Sequence, residues 1–236
     1  MSATRSGGSP RRRPDVSRLR AVLFDVDGTL LDTLDAWVRA FDAGLAAIRH
    51  RSMTGSEAAQ WIGTPIETIY KERCGLAGDD LAKAVRVFQQ VEAESVHEGM
   101  RAYPGIPEAL AALRAWKLAA VTNKRYDTTV EALRVTALLP FFALILGGDS
   151  VPRKKPFPDP ILQAAKGLGV TPSECVVVGD TENDVHAAKE AGARSIGVTW
   201  GYGTCPTLEA AGVDHLIETP EALPPLIRAL TPSTAA

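Results

Sequence analysis

Short apolar runs punctuate the chain at intervals too long for hairpins. Ala21-Val-Leu-Phe-Asp-Val26 is β-prone and stops at Gly28, as a buried strand would. Leu118–Thr122, Ala143–Leu146, Cys175–Val178 and Ser195–Thr199 repeat the pattern, with a weaker run at Asp214–Ile217. Between them lie helical patterns over Pro107–Trp116, Tyr126–Leu138 and Pro160–Leu168. Strands alternating with helices predict an α/β, Rossmann-like parallel sheet covered on both faces. Such sheets bind ligands outside the carboxyl ends of their strands.

The alternation breaks between Thr33 and about Met100, where helical spacing prevails. Leu34, Trp37, Val38, Phe41, Leu45 and Ile48 trace one amphipathic stripe, and Leu81, Ala84, Val85, Phe88 and Val91 trace another that should end near Gly99. Thr54 with Glu57 and Thr64 with Glu67 fit the capping-box spacing; Pro65 suits a first helical position and Gly75 a stop. The expected organisation is an extension over 1–20, a discontinuous α/β core over 21–32 and 101–231, an α-helical cap over 33–100 and a short tail over 232–236. Inserted directly after the first strand, the cap stands where a lid over the site belongs.

Composition narrows the class. The 236 residues are 45% hydrophobic and 23% charged, with a net charge of -2, so no nucleic-acid or membrane surface is expected. Three dispersed cysteines, Cys74, Cys175 and Cys205, suit a reducing, cytoplasmic setting rather than a disulfide framework. No apolar run approaches the roughly 20 residues that span a bilayer. The arginine-rich stretch around Arg11-Arg12-Arg13 reads as a solvated extension, without the apolar segment of a secretory signal.

Chemistry collects at the strand ends. In Asp25-Val26-Asp27-Gly28-Thr29 the carboxylates stand two apart and project from one face, while Gly28 lets the backbone turn and offers amides to an anion. Gly179-Asp180-Thr181-Glu182-Asn183-Asp184 ends another strand. Converging carboxylates form a hard oxygen-rich site that suits Mg²⁺. Thr181 with Asp184 also matches a capping box closed by Gly192, so Asp184 is either a ligand or a supporting residue. Thr122 and Asn123 offer a hydroxyl and amides to phosphate, or simply make a turn. Lys155 stands in a proline-stiffened loop, from which it can offset charge on a carboxylate and a phosphoryl group. His50, His97, His186 and His215 are scattered and read as structural. Trp61-Ile-Gly-Thr-Pro65 is either an interhelical turn or a backbone contact to substrate; Lys71 and Arg73 are solvated charges or partners for a substrate carboxylate.

Taken in order, these loops resemble the haloacid dehalogenase-like phosphatases, from Ala21 to about Leu230. Asp25-Val-Asp-Gly-Thr-Leu-Leu-Asp-Thr33, Val121-Thr-Asn-Lys124 and Lys154-Lys-Pro-Phe-Pro-Asp-Pro160 are similar to the phosphoglycolate phosphatases. Tyr103-Pro-Gly105, Gly147-Gly-Asp149 and Val198-Thr-Trp-Gly-Tyr202 extend that likeness. The resemblance implies Asp25 as nucleophile, forming an aspartyl-phosphate, and Asp27 as acid and then base. It implies Mg²⁺ held by Asp25, the Asp27 carbonyl and Asp180, with Asp184 nearby. Gly28, Thr122, Asn123 and Lys155 would hold phosphate, and the Asp25 strand would lie between those ending at Thr122 and Val178. An acid at position 27 favours expulsion of an alkoxide, which needs a proton, over expulsion of a halide, which does not. The expected substrate is a small phosphate monoester, first 2-phosphoglycolate. Pyrophosphate, sugar phosphates, β-phosphoglucomutase-like phosphotransfer and a non-catalytic binding role are the alternatives.

Overall fold

The computed structural model describes residues 18–51 and 61–231. The Thr54/Glu57 pair, the arginine-rich stretch and the final five residues lie outside them. Six parallel strands form the main sheet: β1 (Ala21–Phe24), β4 (Lys117–Val121), β5 (Leu144–Leu146), β6 (Cys175–Gly179), β7 (Arg194–Val198) and β8 (His215–Ile217), in the order β5-β4-β1-β6-β7-β8. β1 is central, with Leu23 paired to Ala119 of β4 and to Val177 of β6.

Period-two alternation sorts the strand residues into two cores. Val22, Phe24, Leu118, Ala120, Val176 and Val178 pack on one face with Ile106, Leu110, Leu133 and Ile227. Ala21, Leu23, Ala119, Val121, Cys175 and Val177 pack on the other with Ile161, Ala165, Leu168 and Ala188. These partners come from helices α5 (Ile106–Ala112), α6 (Tyr126–Val135), α7 (Asp159–Leu168), α8 (Glu182–Ala191) and α10 (Leu223–Ala229); α9 (Cys205–Ala211) packs beside α8. With both faces covered, uninterrupted apolar strands such as Val176-Val-Val178 are what a parallel sheet requires.

The helices α1 (Leu34–Ala47), α2 (Ile66–Glu72) and α3 (Gly78–Glu94) build a layer with its own apolar cluster, while the single turn α4 (Val96–Gly99) packs Val96 into the core of the sheet. Trp37, Phe41 and Tyr70 stack in succession, 5.1 and 5.0 Å between centroids, and the Tyr70 hydroxyl donates to the Phe41 carbonyl at 2.9 Å. This layer leaves and re-enters the core beside itself: β2 (Leu31–Asp32) pairs antiparallel with β3 (Arg101–Ala102).

Several boundaries differ from the periodic reading. The second stripe ends as a helix at Glu94 and continues to Gly99 only as a separate single turn. Pro65, not Thr64, caps α2, without a side-chain cap bond; the Thr64 hydroxyl instead lies 3.4 Å from Asn183 Nδ2. α5 and α6 stop short of Trp116 and Leu138, at Ala112 and Val135. Apolar spacing runs on past each helix end because residues such as Leu113 and Leu138 remain in the core while no longer helical.

Candidate active site

The carboxyl ends of β5, β4, β1 and β6 converge, and every residue singled out at those ends lies in this region. Asp25 follows β1; its backbone amide still donates to Val178 of β6 at 2.9 Å. The chain then turns sharply at Gly28, whose φ of 81° lies in the left-handed region. A Cβ there would collide with the Asp180 carboxylate and the Tyr202 ring, so glycine also makes room for the site. The Gly28 amide donates to Leu31 at 2.9 Å. The amide that the sequence offered to an anion is therefore committed to the turn, because a reversal this tight must pair its own polar groups.

Asp25, Asp180 and Asp184 are buried, and one oxygen from each lies within 4.8 Å of the others. Asp180 accepts from the Thr29 hydroxyl at 3.2 Å and from the Tyr202 amide at 2.8 Å. Asp184 both caps and contributes: its Oδ2 accepts from the Thr181 amide and hydroxyl in a capping box, and Gly192 closes the same helix. Its Oδ1 faces Lys155 Nζ. That ammonium also lies 2.9 Å from Asp25 Oδ1, an ion pair without hydrogen-bond alignment, and donates to the Val121 carbonyl at 3.0 Å. Asp25 Oδ1 is thus a buried oxygen without a hydrogen bond.

Electrostatics follows from this crowding. Burial, then the Asp184 charge, pushes the Asp25 carboxyl up to about 7, although Lys155 draws it down. Burial, then Asp25 and Asp184, holds Asp180 well above the ordinary range. For Lys155 burial favours the neutral amine, but Asp184 and Asp25 more than reverse it, so the lysine is held above its usual value. Three hard oxygen donors gathered with excess negative charge fit a small divalent cation. The residues present can hold one.

Thr122 and Asn123 follow β4. The Asn123 side chain is occupied: Nδ2 donates to the carbonyls of Gly63 at 2.8 Å and Lys155 at 2.9 Å, and Oδ1 accepts from the Lys155 amide. It orders the lysine loop and ties it to the helical layer, so what Asn123 itself keeps for an anion is main chain. The Trp61–Pro65 turn meets the core through that same Gly63 carbonyl. Lys71 and Arg73 are exposed and do not line the cavity over Asp25 and Asp27. That cavity is lined from the core by Asp25, Asp27, Thr122 and Lys124 and from the helical layer by Trp37, Phe88 and Glu92. His186 is exposed on its helix.

Two charged residues at the site were not read from the sequence. Lys124, buried, donates to both Asp27 oxygens at 3.0 Å and to Glu92 Oε1 at 2.8 Å. Glu92, also buried, comes from α3. The available signal was a carboxylate on the apolar stripe of Val85 and Phe88. Tyr202 explains part of the Val198–Tyr202 motif: its hydroxyl accepts from the Thr33 amide at 2.7 Å and donates to Asp32 at 3.0 Å. Trp200 Nε1 donates to the Thr29 carbonyl at 3.0 Å.

A parallel sheet with a helical insertion after its first strand, and acidic residues gathered at the strand ends, defines a hydrolase scaffold. The haloacid dehalogenase-like hydrolase family model matches residues 22–198, and the chain belongs to that family. Phosphoglycolate phosphatase from Nitrosospira multiformis is 36% identical over 194 residues, covering 78% of this chain and 85% of that protein. Phosphoglycolate phosphatase from Escherichia coli O157:H7 is 30% identical over 233 residues, covering 89% of this chain and 92% of that protein. The crystal structure of a predicted phosphatase from Clostridium acetobutylicum superposes with a TM-score of 0.83 at 25% identity, covering 90% of this chain and 100% of that one. Among the described residues no helix is long and apolar enough to cross a membrane.

Proposed function

We propose that the chain is a magnesium-dependent phosphatase of the cytoplasm acting on a small phosphate monoester, with 2-phosphoglycolate first in line. The observation that carries this reading is the buried Asp25 carboxylate, flanked by Lys155 and two further carboxylates, with Asp27 two residues beyond. The names of the relatives above support the substrate class.

Asp25, Asp180 and the Asp27 carbonyl would hold Mg²⁺, with Asp184 beside them. When bound, the ion supplies positive charge that offsets the phosphoryl oxygens and orients them. An Asp25 oxygen attacks phosphorus, the bond from phosphorus to the ester oxygen breaks, and its electron pair goes to the leaving alkoxide. Asp27 gives that alkoxide its proton. Water then attacks the aspartyl-phosphate, Asp27 takes the water proton, and Asp25 is released as carboxylate. Lys155 keeps Asp25 in place and offsets charge gathered on the phosphoryl group. Thr122 supplies a hydroxyl to it, and the Gly28 and Asn123 turns shape the phosphate cradle. The helical layer excludes bulk water during the first half.

A substrate carboxylate needs a cation. Arg125 and Lys154 line the cavity from the core side and could supply it, whereas the helical layer contributes Trp37, Phe88, Gln89 and Glu92. The expected result is phosphate release from a panel of small monoesters with Mg²⁺, ranked by kcat/KM, highest for a short anionic ester. Asp25→Asn should lower turnover by at least about 10³-fold while its circular dichroism and melting remain native-like. Full activity in that pure variant would remove Asp25 as nucleophile, and preference for a large nucleotide would remove phosphoglycolate.

A further inference from the structure

Glu92 has no role in the steps above, yet it is 4% exposed. Burying a carboxylate is costly unless a charged partner compensates it. Its partner is Lys124, on the loop after β4, and the same ammonium reaches both oxygens of Asp27. One nitrogen therefore joins α3 to the core and spends its three donors on two carboxylates. Contact with both Asp27 oxygens fixes where that carboxyl group lies and how it is turned. Lysine itself is a point charge on a flexible four-carbon stem, so it holds a fixed orientation only if its own position is fixed from another side. Glu92 is that second side.

We infer that Glu92 is a positioning residue: through Lys124 it sets Asp27 for proton transfer only while the helical layer is seated on the core. This rests on the phosphatase reading, with Asp27 as acid and base. Cap closure and proton donation are then one event, and an unseated layer leaves Asp27 without its orientation.

The test compares two small substrates through kcat/KM, which reports the steps up to the first cleavage at phosphorus. An alkyl phosphate releases an alkoxide that needs a proton. Acetyl phosphate releases acetate, which keeps the electron pair of the broken bond and needs none. In the full chain, Glu92→Leu should lower kcat/KM about 10²-fold for the alkyl phosphate and less than about 3-fold for acetyl phosphate. Glu92→Gln, which keeps an acceptor for Lys124, should recover most of the loss. Asp27→Asn should split the two substrates in the same sense. Equal losses on both substrates in Glu92→Leu, alongside a split in Asp27→Asn, would overturn the inference alone. Absence of a split in Asp27→Asn would overturn the reading beneath it. A defect confined to KM for a carboxylate-bearing ester would instead make Lys124 a substrate contact and end the positioning role.

Discussion

Two buried lysines touch the aspartates that follow β1, each between two carboxylates, yet they are built differently. Lys155 lies between Asp25 and Asp184, all three in the α/β core, the first two on loops after strands and Asp184 in the first turn of α8. Lys124 lies between Asp27, on the core, and Glu92, on α3 of the helical layer. The first cluster is closed within one packed unit; the second spans two units with separate apolar clusters. Similar chemistry thus serves cohesion in one place and coupling in the other.

The largest expected effect separates Lys155 from its neighbour. Lys155→Met leaves Asp25 and Asp184 buried without a counter-charge and should cost about 3–5 kcal/mol in denaturant unfolding. Lys154, paired at 3.1 Å with the more exposed Glu67, should lose no more than about 1 kcal/mol on the same substitution. Comparable losses would erase the distinction between them. Lys124→Met should loosen the helical layer selectively. Amides of α3 should exchange about 10-fold faster or more, while those of β1 and β6 keep their native protection. Uniform acceleration would show that the two units do not move apart at this contact.

The smallest effect is a pH dependence. Asp25 and Asp180 hold protons more tightly folded than unfolded, so between about pH 4 and 7 the folded chain carries the extra protons. Stability without metal should therefore fall as pH rises through that window. The melting temperature should drop by about 2–4 °C or more, and millimolar Mg²⁺ should restore more of it near about pH 8 than near about pH 5. A metal-free protein that grows more stable across the window would contradict the crowding of carboxylates.

The parallel sheet was legible because each strand is a short apolar run ending in residues that can bind or turn. Asp25, Asp27, Thr122 and Asp180 could be placed at one end of the sheet from that alone, and Lys155 through its proline-rich loop. Glu92 was not legible as part of the site. A glutamate in a helix is ordinarily solvated, and only packing of α3 against the core reveals what its stripe faces. The Gly28 amide, read as open to an anion, is spent on its own turn, and Asn123, read as offering amides to phosphate, uses its side chain to hold the Gly63 and Lys155 carbonyls. A residue type advertises a donor, but its neighbours decide where the donor goes.

The short pairing of Leu31 with Ala102 and Asp32 with Arg101 makes a single narrow neck, its two strands about 5 Å apart. Everything beyond that neck can be treated as a cassette. A foreign bundle with the same spacing between its ends could be spliced in there, provided it brought its own carboxylate to Lys124 in place of Glu92 and its own carbonyl to Asn123 in place of Gly63.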